Sequence, residues 1–302
     1  MQTAMRQRGS GARTREGRKG SGTVIVLLLV PAGLLLAAGF GAHSKTIETT
    51  GTPRITLTNL AGQVVVRGWD KPQVHVEYTV HSPRVEVDTE LMPPTGAADK
   101  VRLTTHVLDP LVSASEQATD YTLDIPAGSS VEIRNPQGSV QIEKVQAYAA
   151  VESVGGRIVV NDFSGHLIAR TVGGDIEILR PSGRVEAYSI TGNLHFVSAA
   201  TSKLRASSTS GRILYEGDFA EGGDYILSAY SGDMDIVCPR SSSFELRAKT
   251  VRGKLDNSLF LTPKRNAPSP AYSGNSLLGT HNTGRASVEL TSFSGTIRVR
   301  PQ

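Results

Sequence analysis

The sequence predicts an all-β fold: a single-chain β-solenoid (parallel β-helix) with coils of about 18–21 residues, preceded by an N-terminal membrane or signal helix, with a β-sandwich as the fallback. Three observations carry this reading. First, a glycine, one residue and an alternating strand recur in GSVQI from Gly138, GRIVV from Gly156, GDIEI from Gly174 and GNLHF from Gly192. GRILY from Gly211, GDMDI from Gly232, GKLDN from Gly253 and GTIRV from Gly295 continue the series, at steps of 18, 18, 18, 19, 21, 21 and 42 residues. Second, apolar residues alternate within the strands, as in Ile158/Val160 and Ile176/Ile178, so one face is buried and the other solvated. Third, no run of helical period follows Ala42.

Residues 1–22 form a basic cytoplasmic leader. The chain holds 32 Lys and Arg against 28 Asp and Glu. Arg6, Arg8, Arg13, Arg15, Arg18 and Lys19 face only Glu16 in the first 20 residues, which leaves 26 basic and 27 acidic residues in the remainder. The net charge of +4 therefore belongs to the leader, and the body gives no electrostatic reason to expect nucleic acid. Residues 23–42 read TVIVLLLVPAGLLLAAGFGA, twenty residues without a charge and long enough to cross a bilayer as a helix. The basic flank keeps the N-terminus in the cytoplasm. Gly39 and Gly41 suit cleavage after Gly41, and Pro31 and Gly33 interrupt the helix as in a signal peptide, whereas the long leader suits an uncleaved anchor. Both alternatives stand, and both export the remainder to the bacterial cell envelope (periplasm or cell surface), membrane-anchored or released. If uncleaved, residues 23–42 make the membrane a partner. Cys238 is the single cysteine, so no intramolecular disulfide forms, and DIVCPR gives it the place of a small apolar residue before a turn.

Residues 46–128 read as an irregular β cap or first coils. ITLTNL, QVVVRGW, QVHVEYTV, RVEVDTEL, KVRLTTHVL and YTLDI each alternate, joined by the loop-like LMPPTGAAD and DPLVSASEQAT. Residues 129–300 carry the solenoid repeats. The half-period near nine residues holds one strand and a corner, where glycine accepts a positive φ without strain. Three residues before each main glycine come Ser153, Thr171, Ser189, Ser208, Ala229, Thr250 and Ser292, nearly all small and hydroxylated. Two earlier come Val151, Ala169, Ala187, Ala206, Leu227, Ala248 and Leu290. Like residues at one full-period position are the mark of stacked coils, whereas a meander of hairpins has no reason to repeat at the full period. LTPKRNAPSPAYSGNSLLGTHNTGR breaks the rhythm and reads as a long loop over residues 261–285.

The stretch YTLDIPAGSSVEIRNPQGSVQI and the units TVGGDIEI, STSGRILY, AYSGDMDI and TSFSGTIRV resemble the bacterial putative-adhesin β-solenoid family, a domain of unknown function with repeated Ser-Gly-Asp-Ile/Val units. The resemblance covers roughly residues 50–300; Asn193, Arg212 and Lys254 stand where Asp is usual there. It implies a β-helical envelope protein and supplies no catalytic residue.

The search for chemistry returns little. HExxH, CxxC, a phosphate loop, Gly-x-Ser-x-Gly and the GGxGxDxU calcium repeat do not occur, so no catalytic residue, cofactor or metal site is expected. His75, His106, His166 and His195 read as solvated surface groups. Arg157, Asp175, Asn193, Arg212, Asp233 and Lys254 follow the main glycines and predict a polar ladder along one corner. Its mixed signs suit charge pairing between coils better than a calcium stripe. Trp69, Tyr215, Tyr230 and Tyr272 are the aromatic candidates, with Tyr215 in phase with the core. Tyr272, Arg265 and His281 of the 261–285 segment are the expected contact residues, because rigid scaffolds carry function on loops. The reading is a non-enzymatic, adhesin-like envelope β-solenoid that presents a binding or scaffolding surface to a glycan or an envelope protein. The alternatives are a carbohydrate-active β-helix enzyme, which needs two or three converging acids, and an accessory or sensor domain of a membrane signalling system.

Overall fold

The computed structural model describes residues 41–109, 113, 116–199, 201–263, 272–273 and 275–302. The leader and nearly all of segment 23–42 lie outside the described residues; Gly41 and Ala42, assigned to that segment from sequence, instead begin the strand Gly41–Thr58. Among the described residues, no helix is long and apolar enough to cross a membrane.

Two walls of strands face each other across one core. Each coil contributes one strand to each wall, and from Ser130 onward strands of successive coils pair in parallel without a register shift. Ile158 aligns with Val140 on one side and Ile176 on the other; Leu167 aligns with Ala149 and Val185. No antiparallel hairpin crosses the coils between Gly156 and Cys238, which removes the sandwich alternative. Inward positions stack like on like. Ile142, Val160, Ile178, Phe196, Tyr215 and Ile236 form one fully buried line, and Val151, Ala169, Ala187, Ala206 and Leu227 form its counterpart on the facing wall. Burial of each large apolar side chain contributes about 1.5–3 kcal/mol.

The coils do not stack in chain order. The last one, Ala286–Ser292 with Ile297–Pro301, is inserted between Asp224–Ala229 with Met234–Cys238 and Phe244–Thr250 with Leu255–Asn257. At the other end, the coil built from Arg54–Thr58 and Val64–Trp69 sits between Ala98–Val107 with Thr119–Pro126 and Ser130–Arg134 with Val140–Glu143. This corrects the expectation of a simple sequential stack. The 42-residue step from Gly253 to Gly295 is the length of chain needed to pass the terminal coil and return inside it. Residues 261–285 are accordingly not one loop: Ser276–His281 is a strand, antiparallel to Phe244–Thr250, and it covers that wall's terminal edge. Val85–Met92 does the same for Ala98–Val107 at the opposite end.

The role of the main glycines also differs from the sequence expectation. From Gly156 onward they do not adopt positive φ. A Cβ on Gly174 would fall on the carbonyl oxygen of Gly156, and one on Gly192 would fall on that of Gly174. The line continues through Gly211, Gly232, Gly295 and Gly253, in stacking order. The requirement is close approach of one backbone to the next. Positive φ occurs at the opposite corner instead, on Lys144, Asp162, Arg180 and Ser198 in successive coils. Each donates its N–H to a carbonyl of the next coil, as Lys144 does to Asn161 at 3.1 Å and Ser198 to Glu216 at 2.7 Å. The hydroxyl row caps the glycine corner: Ser153, Thr171, Thr250 and Ser292 Oγ accept from the N–H of Gly156, Gly174, Gly253 and Gly295 at 2.9–3.0 Å. Asn135 takes this position one coil earlier and donates to Gly62 O at 2.9 Å.

Gly174→Ala is expected to lower stability by about 2–3 kcal/mol and the melting temperature by roughly 5–10 °C, since rigid backbone occupies the space of the new methyl. Gly155→Ala, where nothing lies within 4 Å and φ is not positive, stays within about 0.5 kcal/mol of the parent. Thermal melts of the two variants side by side check the contrast. Amide exchange offers a second test: Ile297–Val299, paired on both sides, exchanges as slowly as Ile176–Ile178 despite its place at the chain end.

Candidate binding surface

Alternation along each strand sends every second side chain outward, so the two walls and the corners form the outer surface of the stack. The residue after each main glycine lies at the edge of one wall, and the expected polar ladder is found there. Asp175 accepts from the N–H and Nδ2 of Asn193 at 2.8 and 3.1 Å, and Asn193 Oδ1 accepts from the N–H of Arg212 at 3.0 Å. Arg157 reaches Glu177, and Arg212 reaches Asp235 at 2.7 Å. Asp233 and Lys254, taken from sequence as neighbours, are separated by the inserted coil. Asp233 is capped by the N–H of Thr296 at 2.8 Å and by Arg298 at 3.0 Å. Mixed signs thus resolve into cross-coil pairs, of which Asp235 is the most deeply buried, at 1% exposure between Arg212 and Arg298. A shallow depression of about 290 Å³ lies on this edge, lined by Arg157, Glu177, Asn193, His195 and Arg212 among others. His195 Nε2 lies 2.7 Å from Glu216.

A second polar group stands on the facing wall. Arg184, Glu186 and Tyr188 alternate outward on one strand, with His166 beside them one coil earlier. Glu186 is 9% exposed and accepts from Arg184 Nε at 2.8 Å and Tyr188 Oη at 2.9 Å, with His166 Nε2 at 3.3 Å. Burial works to raise its carboxyl pKa, and the hydrogen bonds from Tyr188, Arg184 and His166 outweigh it, holding the group below the usual carboxylate range. Sequence reading missed this cluster. The i, i+2 spacing of 184, 186 and 188 was visible, but the arrival of His166 depends on the register between coils.

The contact residues expected on 261–285 are described only in part. Arg265 lies outside the described residues, Tyr272 falls in the short strand Tyr272–Ser273, and His281 is buried at 7%, with its ring nitrogens 2.8 and 3.1 Å from the carbonyls of Phe260 and Arg240. His281 ties the covering strand to the loops beneath it rather than facing a partner. Tyr215 is fully buried, its hydroxyl 2.6 Å from Asp218 O. Tyr230 is 58% exposed and stacks on Phe293 at 4.7 Å. Trp69 donates Nε1–H to Gln73 O at 2.8 Å. His75 faces Thr46 and Glu77, and His106 lies 3.1 Å from Asp88. Cys238 is buried and its thiol pKa is pushed up to about 11 by burial. Among the described residues, no group of three or more His, Cys, Asp or Glu side chains could hold a metal ion.

A carboxyl whose pKa is lowered by folding stabilises the protein above its unfolded value, near 4.3 for Glu and about 3.9 for Asp, and that contribution is lost as pH falls through the lowered folded value. Glu186 and Asp233 both behave this way, the latter through Thr296 and Arg298 acting against burial. Glu186→Gln is therefore expected to lower stability at pH 7 and to flatten the acid limb below about pH 4, as measured by urea midpoints across pH.

Comparison with known proteins adds a family. No curated protein matches the chain. Among solved structures, a protein described as a "putative cell adhesion protein" from Clostridium sporogenes is similar at 10% identity over 86% of this chain and 99% of its own. Its TM-score of 0.26 is too low to carry an argument. Toastrack DUF4097 matches residues 111–300, more than half the sequence and nearly all of the regular coils. The chain belongs to the Toastrack DUF4097 family.

Proposed function

We propose that the protein is a non-enzymatic, adhesin-like β-solenoid of the bacterial cell envelope that presents an extended surface for binding or scaffolding. The observation that carries this reading is the stack itself. Ten two-strand coils at about 4.8 Å give two walls roughly 43 Å long, held rigid by a backbone contact at every coil. Such a surface suits an extended partner, a glycan chain or another envelope protein, better than a small substrate. The carboxylates that the fold gathers support the same side: Glu186, Asp233 and Asp235 are each engaged by guanidinium groups. The uncharged stretch 23–42 behind a basic leader supports export, with that segment as anchor or signal.

The test is saturable binding of the full chain, in mild detergent, to arrayed bacterial envelope polysaccharides. Retention is expected, weakened about tenfold when Arg157→Ala and His195→Ala are combined at the depression, with the melting temperature nearly unchanged. Release of new reducing ends from any arrayed polysaccharide would replace this reading with the enzyme alternative. Fractionation with N-terminal sequencing is expected to recover the chain from the envelope, and an uncleaved chain in the cytoplasm contradicts the export step.

A further inference from the structure

Among the described residues, eight large apolar side chains are exposed, and five of them share one position of the repeat: Val154, Val172, Ile190, Tyr230 and Val251, at 44–58% exposure. Each follows the hydroxyl row by one residue, at the turn from one wall to the other. In stacking order the line runs from Val154 to Ile190, passes Thr209, continues with Tyr230 and its stacked neighbour Phe293, and ends at Val251. Six spacings make it roughly 29 Å long. The turn needs no apolar side chain for its own geometry, because its hydrogen bonds are made by backbone. Val154 O accepts from Gly173 N at 2.7 Å, Ile190 O from Ser210 N at 2.9 Å, Tyr230 O from Ser294 N at 3.0 Å, and Phe293 O from Arg252 N at 2.7 Å. About half of each of these five residues is left in water. The result is a straight, rigid apolar ridge whose ordering cost is already met by folding.

We propose that this ridge is a self-association surface whose occupant is the same ridge of a second copy of the chain. Two features select that partner. A side chain that packs between successive ridge residues must itself recur every 4.8 Å or so, a spacing that the second copy supplies along its whole length. Beside the ridge runs a low shoulder of small residues, Gly155, Gly173, Thr191, Ser210, Ser231 and Ser294, broken only at the last coil by Arg252, against which the partner's ridge can lie. The exposed charges beside the ridge are the Arg157–Glu177 and Arg170–Glu152 pairs and, at its last coil, Arg252, whose guanidinium lies 5.4 Å over the Phe293 ring. The ridge offers on the order of 500 Å² per copy, or about 1,000 Å² in the pair, which lies at the lower bound of specific interfaces. The association is therefore reversible and concentration-dependent.

Cysteine cross-linking of the full chain in mild detergent tests this, because Cys238 is the only cysteine and is buried. Val154→Cys, Val172→Cys, Ile190→Cys, Tyr230→Cys and Val251→Cys are each exposed to mild oxidation, with Ser287→Cys and Asp256→Cys as controls, one on each wall. A two-fold pair running in opposite directions brings like residues together at one ridge position; a pair running in the same direction does so at all of them. At least one ridge position is expected to give a disulfide-linked dimer as the main species. Adding Ile190→Asp or Tyr230→Asp at a site away from the cysteine should cut the yield about tenfold, with the melting temperature unchanged. Ridge positions that cross-link no better than both controls, or a yield indifferent to the added aspartate, overturn the proposal.

Discussion

The rest of the structure depends on one contact, the approach of each coil's corner backbone to the carbonyl of the glycine one coil below. At the Gly138, Gly156, Gly174, Gly192, Gly211, Gly232, Gly295 and Gly253 positions, that contact leaves no room for a Cβ. It sets how closely successive coils approach, and the strands of both walls run in register from Val140 to Val299. Register then decides everything visible from outside. It brings Asn193 onto Asp175, His166 onto Glu186 and Phe293 onto Tyr230, pairs separated in sequence by 18, 20 and 63 residues.

Much of this was legible in the sequence because a repeat writes a three-dimensional period into one dimension. The spacing of the Gly-x-strand units gave the coil length, and the row Ser153, Thr171, Thr250 and Ser292 marked residues that cap one corner. What remained hidden falls into two kinds. The glycines were recognised but their reason was not, since composition does not distinguish tolerance of positive φ from absence of a side chain. The order of the coils was hidden because GKLDN and GTIRV are equally good copies of the unit, and nothing in either says which one meets Gly232. The 42-residue gap was the only trace of the inserted coil, and a loop was the simplest reading of it.

The candidate surface shows the same division. The ladder Arg157, Asp175, Asn193 and Arg212 was read off its repeat position, but Arg157 and Arg212 find their carboxylates outside it, at Glu177 and Asp235. Asp233 and Lys254 broke that ladder because chain order and stacking order part company after Cys238. His281 was taken for a surface group on a loop; the antiparallel strand Ser276–His281 draws it under cover instead. At both ends of the wall that carries Glu186, an antiparallel strand rather than a coil strand is thereby outermost.

The inserted-coil architecture rests most directly on the stacking order at the C-terminal end. Methyl-labelled NMR measures it: cross-peaks between Met234 and Ile297, and between Ile297 and Leu255, are predicted, with none between Met234 and Leu255, which lie two coils, or about 9.6 Å, apart. A strong Met234–Leu255 cross-peak with no contact from Ile297 to either would mean that the coils follow chain order, and would contradict the inserted-coil architecture.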